Sequence, residues 1–76
     1  MEDKIIKLWE LLEGRRIEQG ISFNYWIKKW GWRCSIAYSI PVEMVEGFGI
    51  MPETALDDLI KNVTLRLHAY RGKEIR

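Results

Sequence analysis

Two stretches of alternating side chains, joined by residues 28–31, constrain the fold of this chain more than any other feature. Residues 21–27 and 32–40 both place apolar side chains at every second position. The apolar positions are Ile21, Phe23, Tyr25 and Ile27, then Trp32, Cys34, Ile36, Tyr38 and Ile40. A period of two is typical of half-buried strands. The short connection, in which Gly31 can take a positive φ, predicts a β-hairpin.

Helical spacing flanks this hairpin on both sides. Residues 2–13 carry one broad apolar face made of Ile5, Ile6, Leu8, Trp9, Leu11 and Leu12. Gly14 is placed to end that helix in the left-handed conformation. Residues 52–70 predict the longest helix, whose apolar stripe includes Leu59, Ile60 and Val63. Pro52 suits a first turn and Thr54 opens a capping-box spacing, so the start is expected at 52 or 54.

A short third strand is predicted between the hairpin and the second helix. Pro41 ends the second strand because it cannot donate a ladder hydrogen bond. Residues 45–50 then read as a strand whose two glycines favour a bulge or a sheet edge. The whole chain, residues 1–76, is expected to be a single α+β domain. Two layers with both helices on one sheet face, and three layers with one helix on each face, both remain open.

Composition excludes several broad classes of protein. The chain is 47% hydrophobic and 30% charged, which is globular rather than disordered composition. No apolar run approaches the roughly 20 residues of a membrane span. Residues 1–4 are acidic and lack the basic start and apolar core of a signal peptide, so a cytoplasmic location and no membrane partner are expected.

Charge is segregated along the chain although the net charge is only +1. Residues 14–35 are mainly basic, residues 36–60 carry acids alone, and residues 61–76 are again mainly basic. This arrangement can create basic and acidic faces on the folded protein. It also places acids early and bases late in the second helix, which the helix dipole favours by itself. Both explanations remain open.

The residues that carry enzymatic chemistry do not form a recognisable set. Cys34 is the only cysteine and His68 the only histidine, so a cysteine metal cluster and a histidine-based triad lack ligands and partners. Asp57 and Asp58 are adjacent and point about 100° apart on a helix, so they cannot form a paired-carboxylate site by themselves. Glu43 and Glu46 could join them only through tertiary contacts. The sequence therefore predicts a protein that is not an enzyme, with no catalytic residue, metal site or cofactor.

The hairpin connection is the candidate binding site. It concentrates tryptophan and lysine in Trp26-Ile27-Lys28-Lys29-Trp30-Gly31-Trp32. Trp32 alternates with the core residues of the second strand, so we expect it in the core. Tryptophan is enriched in protein-binding hot spots, and aromatic residues beside cations also bind single-stranded nucleic acid. The predicted protein-binding residues are Trp26, Lys28, Lys29, Trp30 and Arg33.

Two family resemblances accompany these patterns. Residues 49–56, Gly-Ile-Met-Pro-Glu-Thr-Ala-Leu, are similar to the segment that leads from a strand into a helix in HicB-like antitoxins, and residues 32–38 resemble the strand before it. Met51 stands where those proteins usually have a capping threonine. The order of elements over nearly the full chain resembles the phage ABA sandwich domain. That resemblance implies a phage or prophage origin and no enzymatic activity.

These observations together predict a small non-enzymatic phage-type accessory protein. It would bind and occlude a host or phage protein, as an inhibitor or an adaptor, in the host cytoplasm. The alternative is a small nucleic-acid-binding regulator or antitoxin-like module. A homodimer through a strand edge or a helix face is also expected, because small domains often supplement a limited core by pairing.

Overall fold

The elements follow the predicted order of helix, three strands and helix. The structure, a computed structural model, describes residues 1–38 and 43–74. The elements are α1 (Glu2–Leu11), β1 (Ile17–Trp26), β2 (Gly31–Tyr38), β3 (Glu43–Gly49) and α2 (Pro52–Glu74). The strands form one antiparallel sheet in the order β1-β2-β3, which confirms the α+β prediction. Ser39, Ile40 and Pro41, on which the predicted end of the second strand depended, lie outside the described residues.

Both helices lie on the same face of the sheet. Leu8 of α1, Leu59 of α2 and Ile36 of β2 belong to one continuous buried cluster. Cys34 lies in the same cluster and is directly opposite Gly47 of β3, whose face α2 covers. Of the two arrangements left open by the sequence, the structure therefore has the two-layer one, with the second face of the sheet uncovered by either helix.

The first helix buries a narrower face than its sequence predicts. Leu8 and Leu12 are buried, whereas Trp9 is 39% exposed and Ile6 is 49% exposed. The difference arises because α1 rests mainly on α2, so only one side of it meets the core. Gly14 has a φ of 82°, which confirms the predicted left-handed stop after the helix.

The second helix begins at Pro52, the first of the two predicted starts. The Thr54 hydroxyl accepts a hydrogen bond from the Met51 backbone N–H at 3.0 Å and lies 2.8 Å from the Met51 carbonyl. Thr54 thus reaches back to the residue before the helix, which is one half of a capping box. The helix runs on to Glu74, past the predicted end at residue 70.

The register predicted for this helix is confirmed. Leu59, Ile60 and Val63 are buried, while Lys61 and His68 are exposed. Burial of complete leucine and valine side chains stabilises a fold by about 1.5–3 kcal/mol each, so this stripe is a main source of stability.

Glycine brings α2 unusually close to β3. A Cβ atom built on Gly47 would overlap the Leu59 backbone nitrogen and would lie 2.5 Å from the Ala55 carbonyl oxygen. Only a residue without a side chain allows this approach of strand and helix backbones. The two glycines of the third strand therefore serve close packing. Of the two predicted alternatives, the strand lies at a sheet edge, and its regular pairing with β2 shows no bulge.

Candidate functional site

The hairpin connection adopts a conformation that the sequence did not predict. A single 3₁₀ turn, Ile27–Lys29, is followed by Trp30 with a φ of 52°. Gly31 was expected to take the positive φ; that expectation is wrong, because Gly31 is the first residue of β2. A Cβ on Gly31 would lie 2.8 Å from the Gly49 carbonyl oxygen, so its glycine serves a close backbone contact instead.

A left-handed conformation is costly for a bulky residue such as Trp30. The cost is about 1–2 kcal/mol relative to ordinary backbone regions. Here it is combined with exposure, since 76% of Trp30 remains accessible to solvent. The fold thus holds a large apolar side chain in water, in a strained conformation, without gaining stability from its burial.

An aromatic and cationic cluster lies beside Trp30 on the uncovered face of the sheet. The rings of Trp26 and Phe48 are 5.6 Å apart between centroids, at 40° to one another. The Lys29 ammonium lies 5.0 Å from the Trp26 ring centre and 5.3 Å from that of Phe48. The Arg33 guanidinium lies 5.6 Å from the same indole. These distances are within the range of cation–π attraction.

These side chains and their neighbours enclose a shallow pocket of about 260 Å³. Its lining residues are Trp26, Lys29, Trp30, Gly31, Trp32, Phe48, Gly49 and Ile50. We refer to Trp26, Lys29, Trp30, Phe48 and Ile50 as the tip surface. Ile50 is 80% exposed. Such a concentration of exposed apolar side chains around a concave site is typical of a binding surface.

The structure brings together most of the residues predicted for the site. Trp26, Lys29 and Trp30 line the pocket, and Arg33 lies against Trp26 at its border. Lys28 is exposed on the 3₁₀ turn and does not line the pocket. Trp32 is half-buried: it packs against the core and also lines the pocket.

Two residues of the tip surface, Phe48 and Ile50, were not predicted from the sequence. Phe48 lies opposite Arg33 in the pairing of β2 with β3, which places it on the uncovered face. The signal was present, because Phe48 alternates out of phase with Val45 and Gly47. To place Phe48 beside Trp26, the register of β3 on β2 is also needed. That register depends on the connection around Pro41, whose sequence contains no recognisable turn motif.

The electrostatics of the tip surface differ from those of the adjoining helix. The acidic side chains in the first turns of α2 form ion pairs with α1. Lys4 of α1 lies 2.9 Å from an Asp57 carboxylate oxygen and 3.3 Å from Glu53. Hydrogen bonding to Asp57 raises the pKa of Lys4. At the tip, Arg33 forms a loose ion pair with Glu46 at 3.9 Å, which leaves the hairpin end with an excess of cationic side chains.

Other reactive side chains lie away from this surface. Cys34 is fully buried, and the loss of hydration raises the pKa of its thiol to about 11. A thiol that is protonated and inaccessible is a poor nucleophile. Within residues 1–38 and 43–74, no group of three histidine, cysteine or acidic side chains is arranged to hold a metal ion. Among the helices described there, none combines the length and apolarity needed to cross a membrane.

The chain matches no protein-family model, and no curated protein or solved structure resembles it at a significant level. The geometry of its own residues is therefore the basis for assigning a function.

Proposed function

We propose that this chain is a small non-enzymatic accessory protein, of the phage type, that binds another protein through the tip surface. It would occlude a surface of that partner in the host cytoplasm, as an inhibitor or an adaptor. The observation that carries the proposal is the exposure of Trp30 and Ile50, by 76% and 80%, where both line one pocket. The resemblance to the phage ABA sandwich domain supports the proposed origin.

The balance of side chains favours a protein partner. Beyond the aromatic rings, the same end of the molecule exposes the aliphatic side chains of Ile27, Ile50 and Met51. Aliphatic groups contribute to protein interfaces but neither stack on bases nor contact phosphates. The five residues of the tip surface include no carboxylate, hydroxyl, thiol or imidazole, which supports a binding role rather than a catalytic one.

A capture experiment with matched variants tests the site. Protein immobilised at one terminus is exposed to host lysate, and captured proteins are identified by mass spectrometry. Trp30→Ala, and separately the double change Lys28→Glu/Lys29→Glu, should reduce capture of the specific partner at least about tenfold, as loss of a hot-spot residue does. Neither variant should lower the melting temperature appreciably, because both positions are exposed.

The controls alter comparable residues elsewhere on the surface. Leu65→Ala removes a 59% exposed apolar side chain from α2, and Lys7→Glu/Lys61→Glu makes the same change of net charge away from the hairpin. Both should capture the partner normally. Equal capture by the tip variants and the controls would reject the tip surface as the binding site.

Single-stranded nucleic acid is the second candidate ligand. The observation in its favour is the pair of cations, Lys29 and Arg33, that flank the Trp26 ring. A fluorescence-anisotropy titration of a labelled single-stranded oligonucleotide at low and moderate salt tests it. Submicromolar binding that weakens steeply with salt would support a regulator or antitoxin-like role. Absence of binding at low salt would eliminate it.

We also propose that the chain pairs with itself through α1. Ile6 and Trp9 leave an apolar strip of this helix 49% and 39% exposed. Light scattering at tens of micromolar should give twice the 9.1 kDa chain mass, and Trp9→Ala should lower that mass. A mass of one chain for the unaltered protein would refute the homodimer.

A further inference from the structure

The two edge strands of the sheet, β3 and β1, differ in whether their outward backbone groups have hydrogen-bond partners. Along β3, the Phe48 N–H donates to an Asp58 carboxylate oxygen at 3.0 Å. The Asn62 side-chain amide donates to the Glu46 carbonyl at 2.8 Å. Side chains of α2 thus satisfy the polar backbone groups of this edge, as natural sheets often require to avoid unwanted pairing.

These two bonds identify which residues of β3 form backbone hydrogen bonds with β2. The C=O of Glu46 and the N–H of Phe48 point away from β2, toward side chains of α2. The N–H and C=O of successive residues in an antiparallel strand point alternately to one side and the other. The N–H and C=O of Gly47 therefore point toward β2. Its partner there is Cys34.

The same alternation carries across β2 to the far edge. Since Cys34 bonds toward β3, its neighbour Arg33 bonds toward β1, where it is opposite Asn24. Phe23 and Tyr25, on either side of Asn24, therefore direct their backbone N–H and C=O groups outward. Within residues 1–38 and 43–74, no backbone group outside the sheet forms a hydrogen bond to either residue.

This part of the β1 edge lacks the usual protection against strand pairing. The irregularities of β1 are confined to residues 17–22, and the pairing of residues 22–26 is regular. Residues 22–26 contain neither a charge nor a proline, the two features that most often guard an edge. Tyr25 is 48% exposed.

The two faces beside this edge specify what a fourth strand must carry. On the core side, Phe23 and Tyr25 offer apolar contacts. On the uncovered side, Trp26 carries Lys29 and Arg33 against its ring. An added strand is complementary when its side chains alternate between apolar residues on the first side and acidic residues on the second.

A second copy of this chain fits the edge poorly. Two β1 strands paired antiparallel would bring the start of each against the end of the other. The start follows Arg15 and Arg16, and the end leads into Lys28 and Lys29, so cations would meet cations. Glu18 lies 2.7 Å from Arg16 and offsets that charge, but Arg15, Lys28 and Lys29 would still meet.

We propose that the β1 edge, at Phe23 and Tyr25, accepts an extended acidic segment of a partner protein as a fourth strand of the sheet. The inference rests on the proposed function in one respect, that the partner is a protein. It adds the mode of recognition, in which main-chain hydrogen bonds supply affinity and alternate side chains supply specificity.

Backbone amide exchange followed by NMR tests the edge in the unaltered protein. The Ser22 and Asn24 amides should exchange slowly, and those of Phe23 and Tyr25 rapidly. The probe is a short peptide of alternating valine and glutamate, at low salt. At a peptide concentration about ten times its Kd, roughly a tenth of the protein stays free, so exchange at Phe23 and Tyr25 should slow about tenfold.

A peptide of alternating valine and lysine is the matched control, and it should leave exchange unchanged. Tyr25→Pro removes an outward N–H and should abolish protection of Phe23 by the glutamate peptide. Its melting temperature should stay well above that of Asn24→Pro, which removes an inward ladder bond. Should Tyr25→Pro fail to fold, the exchange pattern of the unaltered protein decides the question.

The results separate this inference from the proposed function. No slowing with the glutamate peptide, or equal slowing with both peptides, overturns the acidic fourth strand. Protection of Phe23 and Tyr25 that grows with protein concentration alone would assign the edge to a second copy and overturn it as well. Loss of partner capture in Trp30→Ala would leave the proposed function standing in each of these cases.

Discussion

The junction of α2 with β3 and the hairpin tip around Trp30 both depend on a glycine, but the side chains around the glycine are buried at the junction and exposed at the tip. In both places a glycine lets two backbones approach: Gly47 against α2, and Gly31 against the Gly49 carbonyl. At the junction, the neighbouring Ala55 and Leu59 are fully buried. At the tip, the neighbouring Trp30 is largely exposed and strained.

The difference shows that close backbone packing does not by itself create a core. A helix lies over the junction and removes its apolar side chains from water, which is the main stabilising contribution in folding. Neither helix covers the tip, so its apolar side chains contribute little to stability. We therefore expect substitutions at the junction to change the free energy of unfolding, and substitutions at the tip to change binding.

Truncation of Leu59 should produce the largest loss of stability. This side chain is fully buried in the α2 stripe, and Leu59→Ala should lower the free energy of unfolding by roughly 2–5 kcal/mol. Lys61→Ala, two positions along the same helix on its exposed side, should cost less than about 0.5 kcal/mol. Urea denaturation measures both. A larger loss for Lys61→Ala would contradict the helix register.

Adding one methyl group at the junction should be the next most damaging change. Gly47→Ala places a Cβ against the backbone of α2, which cannot move aside alone, and should cost about 2–3 kcal/mol. Gly20→Ala is the matched control, because no atom lies within 4 Å of its added Cβ. That variant should lie within about 0.5 kcal/mol of the original protein. Thermal melts of equal stability would show that strand and helix are not in close contact.

Removal of the edge cap on β3 should have a smaller effect. Asn62→Ala leaves the partly buried Glu46 carbonyl without its hydrogen bond, at a cost of about 1 kcal/mol. Asn24→Ala removes an exposed amide that donates a hydrogen bond to the Ser22 hydroxyl, and it should cost under about 0.5 kcal/mol. If the two variants unfold at the same urea concentration, α2 side chains do not stabilise the β3 edge.

Relief of strain at the tip should change stability by a similarly small amount, and in the opposite direction. Trp30→Gly allows the positive φ without a Cβ penalty, so it should be more stable than Trp30→Ala by about 1 kcal/mol. Both variants should lose partner capture equally, because both lack the indole. A stability order in which alanine exceeds glycine would show that residue 30 is not held in the left-handed region.

Local patterns in the sequence determined the elements of this fold. A period of two located the hairpin, helical spacing located α1 and α2, and Gly14 marked a left-handed stop that the structure has. The buried stripe of Leu59, Ile60 and Val63 followed from the same spacing. Such features depend on residues a few positions apart, which is why a single sequence is sufficient to predict them.

Tertiary structure decided the rest, since it depends on which surfaces meet. Whether the helices share one sheet face depends on how α2 docks, and that docking needs Gly47 to meet the helix backbone. The same docking leaves Trp9 partly exposed and brings Phe48 next to Trp26. The contrast between a capped β3 edge and an open β1 edge follows from it as well. All of these features depend on contacts between residues distant in sequence, and the periodicity of the sequence carries no information about such contacts.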